Sequence, residues 1–181
     1  SSVFMFDVDK KSNEVVLPLG IYKNICKEFP NNYNFTKSDM KFIGKLYTYP
    51  RDQDIVVKEA LDKLKECHTC LLALHTNFGK TACAIFISCE LGFKTMVLCK
   101  QSELHMQWVN SFNKLSTAKV QIVKDSSSSI KLDPSCDVYI MGILKASKAS
   151  PLLFKDIGLL IIDEIHVVFA SAYSKSLRNF Y

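Results

Sequence analysis

The chain has 181 residues, which fits one ordinary domain plus a short extension at about 100–200 residues per domain. Hydrophobic residues make up 48% and charged residues 23%, with Gly 6 and Pro 5, so disordered, collagen-like and low-complexity chains are excluded. Lys+Arg 23 against Asp+Glu 18 gives a net charge of +5, a basic excess that permits a polyanionic partner without demanding one.

Nearly all the positive charge is lysine; Arg51 and Arg178 are the only arginines, so planar bidentate chemistry has two candidates. The seven cysteines are odd in number, and several lie within apolar runs. That points to reduced, buried thiols and a cytoplasmic or nuclear setting rather than a disulfide frame. Cys67-His68-Thr69-Cys70 has zinc-like spacing but no obvious second ligand pair, so a helix-to-strand junction is the simpler reading. No apolar run approaches the roughly 20 residues of a membrane span, so no membrane partner is expected. Ser1-Ser2-Val3-Phe4 lacks the basic start of a signal peptide, and without an initiator Met the chain reads as a fragment.

In chain order, residues 3–8 and 14–19 predict two short strands around a polar turn, followed by a helix over 21–29 and a Pro30-Asn31-Asn32 loop. Residues 1–46 read as a small accessory segment. Ile55, Val56, Ala60, Leu61 and Leu64 recur at helical spacing and predict an amphipathic helix to about Glu66. The apolar run Cys70-Leu71-Leu72-Ala73-Leu74 predicts a strand buried on both faces of a parallel sheet. A helix over 81–91, a strand over 95–99 and a helix over 103–115 follow. Further strands are expected at about 119–123, 137–141 and 158–162, with a serine loop at 126–129. Alternation at this rhythm predicts an α/β domain over 47–181, a parallel sheet with helices on both faces.

The first chemical motif is His75-Thr76-Asn77-Phe78-Gly79-Lys80-Thr81, after one predicted strand and before a helix. A loop there presents backbone N–H groups and the positive end of a helix dipole to an anion. Lys80 is placed for the β- and γ-phosphates of ATP, and Thr81 for Mg²⁺. The full phosphate-loop pattern would put its first glycine where this chain has Leu74. Many relatives place another at Asn77, the non-glycine type that best tolerates positive φ. The second motif is Leu159-Leu160-Ile161-Ile162-Asp163-Glu164-Ile165-His166, four strand residues delivering two carboxylates to the sheet edge where ligands bind. Asp163 is placed to hold Mg²⁺ opposite Thr81, and Glu164 to polarise the attacking water.

Together these motifs resemble the first RecA-like domain of a superfamily 2 DExH helicase, a P-loop NTPase fold. The segment from Val97 to Trp108, with its Leu104-x-x-Gln107-Trp108 ending, is similar to helicase motif Ia. Phe42-x-Gly44-x-Leu46 and Pro50-Arg51-Asp52-Gln53 are similar to the lead-in that reads adenine. The stretch from Asp163 to Ala170, then Tyr173 and Leu177, resembles the transcription-factor IIH repair helicase subfamily and its relatives in large nucleocytoplasmic DNA viruses. The resemblance covers about 42–181, with 1–41 matched only loosely.

The resemblance implies roles residue by residue. Thr76, Asn77, Phe78, Gly79, Lys80 and Thr81 would form the nucleotide loop, with Gln53 at the adenine and Arg51 near it. Lys80, Asp163, Glu164 and His166 would be catalytic, His166 coupling the ATP site to domain movement. Lys100, Gln101 and Ser102, and then Gly142 with Lys145 and Lys148, would face a DNA or RNA backbone. Trp108 reads as a core anchor of its helix. A second RecA-like domain beyond Tyr181 would supply the arginine finger, so the 181-residue chain alone is expected to bind ATP weakly and barely hydrolyse it. A viral replication site or virion is the implied location. Two other readings stand beside this one: a P-loop ATPase of another class, and a degenerate RecA-like binding module.

Overall fold

The computed structural model describes residues 35–75, 77–100, 102–124 and 130–163, and the backbone of two short strands at 7–9 and 14–16. Those two, β1 (Asp7–Asp9) and β2 (Glu14–Val16), pair antiparallel, and the expected polar turn at 10–13 lies outside the described residues. The expected helix over 21–29 lies outside the described residues, as does the serine loop.

The rest is built on a sheet. Its strands are β3 (Thr95–Cys99), β4 (Val120–Ile122), β5 (Val138–Gly142) and β6 (Leu159–Ile162). Their order is β4-β5-β3-β6, and every pairing is parallel. All five residues of β3 are buried, as a strand covered on both faces requires. On one face Val97, Cys99, Val138 and Ile140 pack with Ile85, Trp108 and Phe112. Those partners come from α2 (Lys80–Leu91) and α3 (Ser102–Leu115). On the other face Met96, Leu98, Tyr139 and Met141 pack with Ile143, Ala146 and Phe154. Ile143 and Ala146 belong to the single-turn α4 (Ile143–Ala146), and Phe154 closes a 3₁₀ turn (Pro151–Phe154). The remaining helix, α1 (Gln53–Cys67), packs on α2 around Val57, Ala60, Phe78, Cys83 and Ile87. The architecture is the expected α/β sheet with helices on both faces.

The run Cys70 to Leu74 departs from expectation. It forms no strand, and its exposure alternates, with Leu71 68% exposed while Leu72 and Leu74 pack against the α1–α2 cluster. A strand exists only with a hydrogen-bonding neighbour, and no described strand pairs with this segment. The apolar run therefore spends its side chains on helix packing. Residues 37–42 join the α/β core: Met40 is buried beside Val97 and Trp108, and Ser38 Oγ donates to Asp137 Oδ1 at 2.8 Å. The other oxygen of Asp137 accepts the Lys119 N–H at 2.8 Å, tying the lead-in to the entrance of β4.

Lys94, immediately before β3, is buried, and among the described residues no carboxylate pairs with its ammonium. Its Nζ instead donates to the Pro134 and Cys136 carbonyls and to the Tyr139 hydroxyl at 3.4 Å. Tyr139 donates in turn to the Asp133 carbonyl at 2.7 Å, and its phenol is pushed up to about 12, chiefly by burial. This polar knot pins the 133–136 loop to the sheet's lower edge. Lys94→Met should cost about 1–3 kcal/mol of stability, the penalty for stripping a charged donor from buried acceptors. Urea unfolding measures it, with the solvent-exposed Lys114→Met as the neutral control.

Candidate functional site

The upper edge of the sheet is set by strand register. Because β3 pairs parallel with both neighbours, the C-terminal ends of β3, β5 and β6 lie side by side: Cys99 is opposite Gly142, and Leu98 opposite Ile162. Lys100 follows Cys99, α4 follows Gly142, and Asp163 follows Ile162. Asp163 extends the ladder by one rung, its N–H donating to the Leu98 carbonyl at 3.0 Å. Successive side chains alternate between sheet faces. Ile161 packs with the α2–α3 layer, so Asp163 falls on that same face.

The loop expected to hold an anion precedes α2. Asn77 has φ +65°, the left-handed conformation expected of it in place of glycine. Gly79, the N-cap, has φ +96°, and a Cβ there would collide with the Gln53 amide, so glycine is required by both backbone and space. The Phe78 ring is buried against α1 and α2 and anchors the loop from below. Lys80 is exposed, and its Nζ donates to the Leu74 carbonyl at 3.1 Å. Thr81 is half-buried in the first turn of α2.

Gln53 is 1% exposed and spends its amide inside the protein. Its Oε1 accepts the Tyr47 N–H at 2.9 Å, and its Nε2 donates to the Phe78 carbonyl. It braces the loop from behind. The Arg51 guanidinium lies over the Tyr47 ring, 5.0 Å from its centroid, and lines a cavity of about 310 Å³ with Lys45, Thr48, Tyr49 and Pro50. A second cavity, of about 410 Å³, lies at the opposite sheet edge beside Lys94 and Tyr139.

Of the expected polyanion contacts, Lys100 and Ser102 are exposed at the upper edge where β3 gives way to α3. Gly142 sits at the same level on β5, and a side chain there would meet open space. Lys145 Nζ donates to the Val123 carbonyl at 3.0 Å, across the end of β4. Thr76, Gln101, Glu164 and His166 lie outside the described residues. Among the described residues no three His, Cys, Asp or Glu side chains gather as a metal cage, Cys70 and His68 included. No helix among them is long and apolar enough to cross a membrane.

One contact has no counterpart in the sequence reading. Trp108, 5% exposed on the buried face of α3, donates its indole N–H to Asp163 Oδ2 at 2.9 Å. The available signal was chemical: a buried indole usually finds an acceptor for its N–H, and this is the only tryptophan. The brace behind the loop gives a direct prediction. Gln53→Ala leaves the Tyr47 N–H and Phe78 carbonyl without their partner, and should lower stability by about 1–3 kcal/mol in denaturant titration.

With this geometry in place, comparison with known proteins is informative. The family described as "Type III restriction enzyme, res subunit" (ResIII) matches residues 46–181. "Putative helicase 161L" of Invertebrate iridescent virus 6 is 30% identical over 89% of this chain and 37% of its own length. "Putative helicase 109L" of Invertebrate iridescent virus 3 is 30% identical over 84% of this chain and 47% of its own. "Nucleoside triphosphatase I" of Melanoplus sanguinipes entomopoxvirus is 29% identical over 85% of this chain and 23% of its own. The chain thus spans less than half the length of each of these relatives. A family match over three quarters of the sequence, on an all-parallel α/β sheet, places the chain in the ResIII family.

Proposed function

We propose that the chain is the N-terminal part of a nucleic-acid-stimulated ATPase, a helicase or translocase motor of the DExH type in superfamily 2. The observation that carries this reading is the loop Asn77–Phe78–Gly79 held at positive φ on its two flanks, directly before α2. Such a loop turns successive backbone N–H groups toward an anion at a helix N-terminus. Lys80, whose ammonium rests on the Leu74 carbonyl, exchanges that acceptor for phosphate when nucleotide arrives.

The donors available suit Mg²⁺. A hydroxyl at Thr81 and a carboxylate at Asp163 are hard oxygen ligands, and nucleotide-borne Mg²⁺ takes only one or two protein groups beside phosphate and water. Thr81 and Asp163 would hold it, and when bound it would neutralise charge developing on the phosphates. Glu164, next to Asp163, is assigned to orient and deprotonate the attacking water, and His166 to relay nucleotide state. Arg51 and the cavity beside Tyr47 are assigned to the base; Gln53 acts there through the loop it braces.

Lys100 and Ser102, with Gly142 and Lys145, form the proposed contact to a DNA or RNA backbone, on the same sheet edge as Asp163. Gln101, between Lys100 and Ser102 in sequence, is assigned the same role. Sequence-independent tracking needs backbone contacts, which lysines and helix-start N–H groups supply. The iridovirus relatives, named as helicases, and the entomopoxvirus relative, named as a nucleoside triphosphatase, support a viral NTPase motor. A second RecA-like domain, a role in replication or transcription, and a cytoplasmic, nuclear or virion site are part of the proposal and rest on the sequence resemblance. Kinship with the transcription-factor IIH repair helicase rests on the tail after Asp163.

Calorimetry with Mg·ATP tests the nucleotide site. The chain should bind, and Lys80→Ala should weaken binding roughly 10- to 100-fold, the worth of one charge-assisted contact. Equal affinity in the two proteins contradicts the reading. On the nucleic-acid side, the longer protein's ATPase should rise with single-stranded nucleic acid. Lys100→Ala should blunt that rise and flatten its salt dependence, because each phosphate contact adds about one unit to the salt slope.

A further inference from the structure

Trp108 sits 55 residues from Asp163 in sequence, yet its indole N–H and the Asp163 carboxylate are 2.9 Å apart. The fold makes this meeting obligatory. Helix α3 leaves the upper end of β3 and runs back over the face that carries Val97 and Cys99. Trp108 lies on its inner side with Phe112, ring centroids 5.9 Å apart, and both rings are buried. Asp163 extends β6 beside β3 and falls on the same face. Packing fixes the ring, and the ring fixes where its one N–H points.

An aspartate in this place has a problem that the bond solves. The final torsion of an Asp side chain is broad and roughly two-fold, so strand geometry alone does not set where the two oxygens point. An indole N–H is a donor only, and it is bound here to Oδ2. That selects one orientation and leaves Oδ1 as the oxygen not spent on the indole. We propose that Trp108 is a positioning residue for the nucleotide-bound cation: it orients the Asp163 carboxylate and ties the metal acid to α3, the helix whose first turn carries Ser102. This inference rests on the nucleotide-site reading above and extends it to a residue that touches neither nucleotide nor metal. Outer partners of metal ligands typically change metal affinity about 10- to 100-fold when removed.

Trp108→Phe keeps the ring and deletes the donor. Nucleotide binding is measured for wild type and variant by calorimetry, with magnesium and with EDTA. The expected result is a roughly tenfold loss of the magnesium-dependent gain in affinity, with binding in EDTA unchanged. A variant with the wild-type magnesium gain, or one weakened equally in both conditions, overturns the proposal and leaves Trp108 a packing residue. A wild-type chain that binds no nucleotide in either condition defeats the parent reading, and the proposal with it.

A second measurement does not depend on Trp108→Phe folding, and its magnesium arm uses the wild-type chain alone. With one tryptophan in the chain, the ¹H–¹⁵N spectrum holds a single indole cross-peak that reports this bond alone. Asp163→Ala should shift that peak, and Mg·ATP should shift it in wild type more than ATP with EDTA. An indole peak that ignores both Asp163→Ala and magnesium overturns the proposal.

Discussion

The parallel pairing of β3 with β5 on one side and β6 on the other is the constraint from which the site follows. Parallel register forces the three C-terminal ends to the same edge, and the chain must leave each strand there. Lys100, Gly142 and Asp163 are brought together for that reason alone, although they are far apart in sequence. The buried cores on the two faces hold the sheet rigid, so the edge is a fixed platform. The polar knot of Lys94, Tyr139 and the 133–136 loop closes the opposite edge with internal hydrogen bonds. The two ends of the sheet thus differ in chemistry: one is sealed by its own carbonyls, the other presents exposed lysine, carboxylate and the start of α3.

Beside this platform the anion loop is held by means other than sheet pairing. The segment leading into it pairs with no described strand, and Leu72, Leu74 and Phe78 packing on α1 and α2, with Gln53 behind, hold it in place. A loop fixed by side-chain packing and one amide has fewer hydrogen bonds to break than one continuing a strand. The Lys80 ammonium adds one further tie, to the Leu74 carbonyl of the same segment.

Much of this was legible from residue types. All six of the expected strands and helices from 81 onward match within a residue or two, because continuous apolar runs and helical spacing are local signals. Positive φ at Asn77 could be read from the side-chain chemistry of asparagine. The segment Cys70 to Leu74 could not, because an apolar run states only that it will be buried; whether it is a strand depends on a neighbour, which is a non-local fact. Gln53 was singled out by its motif as an adenine contact, but its use of both amide ends internally depends on the approach of Tyr47 and Phe78. Trp108 was read as a core anchor, which its burial supports. Its bond to Asp163 depends on how α3 crosses the sheet, and helical periodicity carries no information about that crossing.

The central claim is that the upper edge, with the loop beside it, is a nucleotide site built on Gly79, Lys80, Thr81 and Asp163. The most direct measurement is a crystal structure of the chain with magnesium and a non-hydrolysable ATP analogue. The account predicts phosphate density against residues 77–81, Lys80 released from the Leu74 carbonyl, and the Trp108–Asp163 bond intact. Nucleotide density at the opposite edge, in the cavity beside Lys94 and Tyr139, would contradict it.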